Sequence, residues 1–378
     1  MVLPDTVTAV IFEGNDTQSK AEEMLNGVRH AALADTAAKL LSLPEVGRVI
    51  LVTNQPELAC LPGQAGRCRD GRFAVRVNTL LPGSFHFGRQ LVALATELGS
   101  GPLLCLGGAA VPLAGREELG LACRLLLEKQ GRFVANNVQS ADIIGFNPSA
   151  VLHTFPPPAT DNALAISLRY DAGFEQVLLP PTLGTQFDLD TPGDLQILAA
   201  SPYGGPHLRR CLDALPLDLT TVWQLKKVLQ EEWRELALVG RVGAPAIARL
   251  NSHFKVRLRV FSEERGMKAL GREERGEVVS LLGLWLAEAG PERFFQALAK
   301  VSHAALLDTR VLFAALKKEL TVADRFYSDL GQDENISDEW AREFTRAAGN
   351  CGIPVLLGGH SLVSGSLYLL CEELGCLL

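Results

Sequence analysis

Two acids separated by a single residue are the clearest candidates for binding a metal ion. Asp188 and Asp190 lie in the stretch FDLDTPGDL, whose apolar alternation predicts a strand with both carboxylates on one face. Mg²⁺ prefers oxygen ligands and needs only one or two protein carboxylates when it carries a phosphate. The spacing therefore predicts a magnesium site, with Asp142 as a further ligand. The alternative is a strand-to-helix corner whose acids are solvated or cap the helix.

A helix start follows these acids directly. Thr191 has the residue type of an N-cap, Pro192 suits the first helical position, and Asp194 completes a capping box. A strand end beside a helix N-terminus is the place where open α/β sheets bind ligands.

The pattern Asp-x-Asp-Thr-Pro-x-Asp-Leu, closing an α/β segment of about 200 residues, resembles the end of the nucleotidyltransferase-like fold. That superfamily includes the molybdopterin guanylyltransferases and the phospholactate guanylyltransferases. The resemblance covers residues 6–200. It implies transfer of a nucleotidyl group from a nucleoside triphosphate to a small phosphorylated or carboxylated acceptor, with Mg²⁺ held by Asp188 and Asp190 as catalytic residues.

The same resemblance implies a glycine-rich phosphate loop after the first strand. Here Gly14 and Lys20 occupy the corresponding segment, which has one glycine and two acids. The acid expected after a middle strand is replaced by Gly107 and Gly108, where the backbone could approach a ligand closely. Asn137 could hydrogen-bond a base, a ribose or the acceptor, but Asn is also a common turn residue.

A second candidate lies near the C-terminus. Gly358, Gly359, His360 and Ser361 separate a predicted buried strand from a predicted helix. Helix amides favour anions and His360 could move a proton, so this segment predicts an anion site. The alternative is a tight strand-helix turn.

Alternating strand and helix patterns predict the fold class. Buried β-branched runs at residues 6–12 and 48–53, separated by a helical region, indicate a mainly parallel twisted α/β sheet with helices on both faces. Ser201–Pro206 predicts a linker, so we expect domains at 1–200 and 207–378, the second a smaller and mostly helical α/β or α+β domain. Within it, the patterns predict helices over 219–236 and 303–318 and a strand over 254–261.

Composition limits the partners. The chain has 378 residues, 47% hydrophobic and 21% charged, with a net charge of −7, so we expect a globular protein and no nucleic-acid partner. Eight cysteines without a Cys-x-x-Cys pair indicate small buried residues in a reducing compartment. No signal peptide or membrane span is predicted, which favours the cytoplasm. The oligomeric state is left open.

Two other functions fit the same residues. A non-catalytic protein that binds a nucleotide or metabolite on this scaffold would explain the sparse first loop and the missing middle acid. A glycosyltransferase that uses a nucleotide-sugar would need the same metal-held diphosphate.

Overall fold

The computed structural model describes residues 6–14, 17–60, 71–77, 86–138, 141–158 and 160–375. The chain divides into two compact units. Unit 1 comprises Met1–Asp16, Arg29–Thr185 and Gly205–Leu208, and unit 2 comprises Thr17–Val28, Gln186–Gly204 and Arg209–Leu378.

Unit 1 is built on a seven-stranded sheet. Its strands are β1 (Val7–Glu13), β2 (Val46–Thr53), β3 (Phe73–Val77), β4 (Leu103–Gly107), β5 (Arg132–Ala135), β6 (Ile143–Asn147) and β7 (Glu175–Leu178). Their order in the sheet is β3-β2-β1-β4-β6-β5-β7, and all pairs are parallel except those of β6. From β1 the chain crosses outward to β2 and β3, and it then returns to β4 on the other side of β1. The topological switch point of this sheet therefore lies between β1 and β4.

Both faces of this sheet are covered. The helices are α1 (Lys20–Leu41), α2 (Phe87–Leu98), α3 (Arg116–Glu128) and the short α4 (Leu164–Ile166) and α5 (Leu183–Gln186). Ala9 and Val10, neighbours on β1, belong to two different hydrophobic clusters, one packed by α1 and α3 and the other by α2. Because neighbouring strand residues point to opposite faces, the two clusters lie on opposite sides. The predicted fold class is confirmed.

Unit 2 contains a smaller parallel sheet. Its strands are β8 (Glu235–Gly240), β9 (Arg257–Ser262), β10 (Ala304–Asp308) and β11 (Val355–Gly358), in the order β11-β10-β8-β9. The chain passes from β8 outward to β9 and then to β10 on the other side. The switch point of this sheet lies between β8 and β10.

The helices from α6 onward lie beyond residue 186. They are α6 (Pro192–Ala199), α7 (Pro206–Asp213), α8 (Thr220–Gln230), α9 (Ala244–His253), α10 (Leu281–Val301), α11 (Thr309–Ala315), α12 (Val322–Asp329), α13 (Glu339–Gly349) and α14 (Gly365–Leu374). Within α10, Gly290 leaves the helical region at φ +76° and Pro291 follows it, so α10 consists of two helical segments.

Two strands of unit 2 were not predicted. The helix expected over 219–236 ends at Gln230 and is followed by β8, and the start of the helix expected over 303–318 is β10. Both are short, mainly apolar runs in the middle of a parallel sheet, where periodicity does not distinguish a strand from a buried helix. The strand expected over 254–261 begins later, at Arg257, and pairs with β8.

The unit boundary differs from the expected domain boundary. The segment Gln186–Gly204, expected to close the first domain, belongs to unit 2. Its buried residues Phe187, Leu195 and Ile197 have no exposed surface.

Five cysteines are unpaired: Cys105, Cys123, Cys211, Cys351 and Cys371. Burial raises the pKa of the Cys105 thiol to about 12, so this side chain behaves as a small apolar group. Among the described helices, none is both long and apolar enough to cross a bilayer.

Candidate functional site

The switch point of unit 1 carries a buried ion pair. Glu13, the last residue of β1, has no exposed side-chain surface, and its carboxylate accepts hydrogen bonds from Arg29 on α1 at 3.2 and 3.0 Å. The Gly108 amide donates to the Phe12 carbonyl at 2.8 Å and so ties the end of β4 to β1. A Cβ at Gly108 would overlap the Glu13 carboxylate. Glu13 therefore fills the space that an acid after the middle strand would need, while Gly107 ends β4 beside it.

The predicted phosphate-loop residues fall into different units. Gly14 is exposed at the end of β1 in unit 1. Lys20 is the exposed first residue of α1, in a segment that belongs to unit 2. Phosphate binding by Gly14 and Lys20 stays a prediction.

A buried asparagine organises the turn between β5 and β6. The Asn136 amide donates to the Asp142 carboxylate at 2.8 Å and to the Thr185 carbonyl at 2.8 Å, and its oxygen accepts from the Asp142 amide. Asn137, the predicted ligand-binding residue, is its partly buried neighbour. The Asp142 carboxylate is thus already engaged by Asn136.

The predicted strand at Phe187–Leu189 does not form. The backbone of this segment is held by a side chain and not by a neighbouring strand. Ser361 Oγ donates a hydrogen bond to the Asp188 carbonyl at 2.7 Å. The Asp188 carboxylate accepts from the Leu189 amide, and Asp190 is exposed. Without a pleated strand, the period-2 argument for two carboxylates on one face fails.

The predicted helix start after these acids is confirmed. Thr191 is the N-cap of α6, and Asp194 Oδ2 accepts from its amide and its hydroxyl, both at 2.8 Å. Burial, with the nearby Asp190 charge, raises the pKa of Asp194 well above its usual value. Asp194 is therefore a structural capping residue.

The switch point of unit 2 carries a second buried ion pair that sequence reasoning missed. Arg241 follows β8, and its Nε and Nη2 donate to the Asp308 carboxylate at 2.6 and 3.1 Å. Asp308 ends β10 and has no exposed side-chain surface. Burial alone would raise the pKa of Asp308, but the charge and hydrogen bonds of Arg241 hold it below its usual value. Both residues lie at the ends of strands that the sequence patterns did not predict, so their meeting had no sequence signal.

The glycines before His360 have a packing role. A Cβ at Gly359 would lie 2.9 Å from Thr191 Cγ2, and one at Gly358 would lie 3.3 Å from Thr191 Oγ1. Ser361 is buried and donates to Asp188. The end of β11 is therefore packed closely against the start of α6. Anion binding by this segment stays a prediction, and His360 is its chemically active member.

His360 lies in a charged environment. Burial lowers the pKa of the His360 imidazole to about 4. The positive charge of Arg241 also lowers this pKa, and its effect is larger than the opposite effect of the Asp308 charge. The ring is thus neutral at pH 7 and can donate one hydrogen bond and accept another.

The acids of the predicted magnesium site do not form a complete donor set. Asp142 belongs to unit 1, whereas Asp188 and Asp190 belong to unit 2. In the described parts of the chain, no group of three or more His, Cys, Asp or Glu side chains could hold a metal ion. Magnesium binding by Asp188 and Asp190 stays a prediction.

No protein-family model and no curated protein matches this chain. Three solved structures that resemble it each align with about half of its length. A cytidylyltransferase from Leptospira borgpetersenii is 15% identical, with 51% of this chain and 84% of that chain aligned and a TM-score of 0.37. A 4-diphosphocytidyl-2C-methyl-D-erythritol synthase is 14% identical over 52% and 98% of the two chains, with a TM-score of 0.36. A CMP:2-keto-3-deoxy-manno-octonic acid synthetase solved with CTP is 14% identical over 51% and 96%, with a TM-score of 0.35.

These similarities are too distant to carry an argument about activity. The fold class of unit 1 rests on its own strand order and on the helices that cover both faces.

Proposed function

We propose that this chain is a nucleotidyltransferase whose unit 1 binds a nucleoside triphosphate at the carboxyl edge of its sheet. The nucleotidyl group would pass to a small phosphorylated or carboxylated acceptor. The supporting observation is the switch point between β1 and β4, which is followed by Gly14 and flanked by Gly107 and Gly108. Ligands of open α/β sheets bind at such points, and glycines let backbone amides approach a phosphate.

The ion pair at this edge makes phosphate binding electrostatically possible. An unpaired Glu13 carboxylate at the end of β1 would repel a triphosphate. Arg29 neutralises the Glu13 carboxylate through two hydrogen bonds. The carboxyl edge of the sheet therefore presents backbone amides, and the charges of Glu13 and Arg29 balance each other. In this proposal Arg29 positions Glu13 and does not itself react.

A non-catalytic nucleotide- or metabolite-binding protein is the second candidate. The observation that favours it is the same ion pair, since Glu13, the acid that ends β1 at this switch point, is buried against Arg29. Such a protein would bind a ligand and release no product.

A panel of nucleoside triphosphates, with and without Mg²⁺, separates the two candidates. We expect pyrophosphate release with at least one triphosphate in the presence of a suitable acceptor, and a raised melting temperature with that nucleotide. A thermal shift without pyrophosphate release would favour the binding protein. If no nucleotide shifts the melting temperature or reacts, the nucleotidyltransferase and the nucleotide-binding protein are both excluded.

The prediction that Asp190 carries the metal has its own test. Asp190→Asn removes one charge at an exposed position, so the fold should survive while Mg²⁺-dependent nucleotide affinity falls. Asp171→Asn is the matched control, because Asp171 is also exposed. If calorimetric titrations give equal Mg²⁺-dependent nucleotide affinities for the native chain and both variants, Asp190 does not carry the metal. It then belongs only to the region of the α6 cap.

A further inference from the structure

The loop between β4 and α3 leaves the sheet at the switch point of unit 1. It runs from Gly108 to Gly115, and the Gly108 amide is bonded to the Phe12 carbonyl of β1. Within this loop Val111 has φ +44°, a left-handed conformation that a β-branched residue rarely adopts. Its side chain is buried in the hydrophobic cluster that α1 and α3 pack. Such a strained backbone persists only where the surrounding structure holds it in place.

Lys39 of α1 provides contacts that hold this loop. Its Nζ donates hydrogen bonds to the Pro112 carbonyl at 3.0 Å and to the Ala114 carbonyl at 2.9 Å. Pro112 directly follows Val111, and the Ala114 amide donates to the Val111 carbonyl at 2.9 Å. The ammonium group therefore fixes the turn formed by residues 111–114, which contains the strained residue.

Stability alone is a weak reason for a charged group at this position. Burial lowers the pKa of Lys39, and this effect exceeds the opposite effects of the Asp35 and Glu118 charges. Taking an ammonium group out of water costs free energy unless hydrogen bonds replace the water. Methionine has a similar length and would fill the same space with no charge to desolvate. What only a donor at this position can do is bind the two loop carbonyls.

We propose that Lys39 is a positioning residue for the nucleotide site of unit 1, holding the β4–α3 loop so that a nucleotide can approach the backbone at Gly107 and Gly108. This inference rests on the nucleotide binding proposed above. Lys39 does not itself touch the nucleotide, because its Nζ is engaged by the Pro112 and Ala114 carbonyls. The loop is tied to β1 at its start and to Lys39 at its far end, so loss of the ammonium group frees the far end.

The test uses the full-length chain and the nucleotide among ATP, CTP, GTP and UTP that gives the largest thermal shift. In Lys39→Met we expect its affinity, measured by calorimetry, to fall about tenfold, because a displacement of about 1 Å can cost about 100-fold at a site that needs a defined geometry. Amide hydrogen exchange of residues 107–115 should become faster. Lys39→Arg keeps a charged donor and should restore most of the affinity.

Ser149→Ala is the matched control. Ser149 Oγ donates to the Gly99 carbonyl at 2.8 Å, so this variant also removes a side-chain hydrogen bond to a backbone carbonyl, but before the start of β4. It should change neither nucleotide affinity nor exchange of the β4–α3 loop.

Three results would overturn the role of Lys39 while leaving nucleotide binding intact. They are an unchanged affinity in Lys39→Met, an equal loss in Ser149→Ala, and a Lys39→Arg variant as weak as Lys39→Met. A weaker affinity without faster exchange of residues 107–115 would overturn it as well. A native chain that binds none of the four nucleotides would overturn the proposed function and this inference with it, so the two failures are distinguishable.

Discussion

At the scale of single residues, the chain contains buried ion pairs near the ends of its central strands. The carboxylates of Glu13, Asp308 and Asp329 have no exposed surface, and each is bonded to an arginine. Replacing a buried pair with apolar residues is often neutral for stability, whereas removing one partner is strongly destabilising. Stability alone therefore does not explain why charge is retained at both switch points, and ligand binding offers a reason.

Arg29→Met should destabilise unit 1 by about 3–5 kcal/mol, because it leaves the Glu13 carboxylate buried without its cation. The free energy of unfolding is measured in urea. Glu97→Ala, which breaks the exposed pair with Arg76, is the control and should cost less than about 1 kcal/mol. Equal losses in the two variants would show that the burial of Glu13 has no energetic weight.

Arg241→Met should be destabilising in a way that depends on pH. In the native chain the pKa of Asp308 lies below its usual value, so its stabilising contribution is present above the unfolded pKa and is lost as the pH falls through the folded one. In Arg241→Met, the buried Asp308 carboxyl has no cation beside it and is more stable in its protonated form. The loss of about 3–5 kcal/mol expected at pH 7 should therefore shrink near pH 4.5, which urea unfolding at both values measures. A loss that does not change with pH would contradict this account.

At the scale of elements, glycines decide how α6 packs against β11. A Cβ on Gly193 would overlap the Leu357 carbonyl, and one on Gly365 would overlap the Gln186 carbonyl. Both obstacles are backbone atoms, which cannot rotate away as a side chain can. The start of α6 and the start of α14 are therefore fitted to the chain beside them at close range.

Gly193→Ala should cost about 1–3 kcal/mol, the usual penalty for overpacking a closely fitted contact. Gly349→Ala is the control, since a Cβ at Gly349 meets nothing within 4 Å, and it should be neutral or slightly stabilising. Urea unfolding followed by circular dichroism compares the two variants. If Gly193→Ala is as harmless as the control, α6 is not held at this contact.

At the scale of the whole molecule, the two units are not successive segments of the chain. Unit 2 takes residues 17–28 and 186–204 in addition to most of the chain beyond residue 209. The chain therefore enters each unit more than once, and a cut at the Pro/Gly-rich stretch 201–206 would remove α6 from the unit to which it belongs.

A fragment of residues 206–378 should not fold cooperatively alone. It would lose α6 and with it the buried side chains of Leu195, Ile197 and Leu198, and it would uncover the end of β11. Far-UV circular dichroism and thermal melting of the fragment, with residues 186–378 as the comparison, check this expectation. A sharp, reversible transition of the shorter fragment would show that α6 is dispensable.

Much of the fold follows from local sequence. Strands β1 and β2 are long runs rich in β-branched residues, so pattern alone identifies them. The Thr191 cap depends on backbone chemistry within a few residues, and it is confirmed.

The candidate site of unit 2 depended on tertiary structure. The runs that become β8 and β10 are short and mainly apolar, and only pairing with parallel neighbours makes them strands. Their ends carry Arg241 and Asp308, 67 residues apart in sequence, which meet only because the strands are adjacent. Asp188 and Asp190 show the reverse case, because their local spacing suggested a shared face that requires a strand. The sequence determined which residues could do chemistry, whereas the sheet order decided which of them meet, since that order depends on long-range pairing that no local pattern encodes.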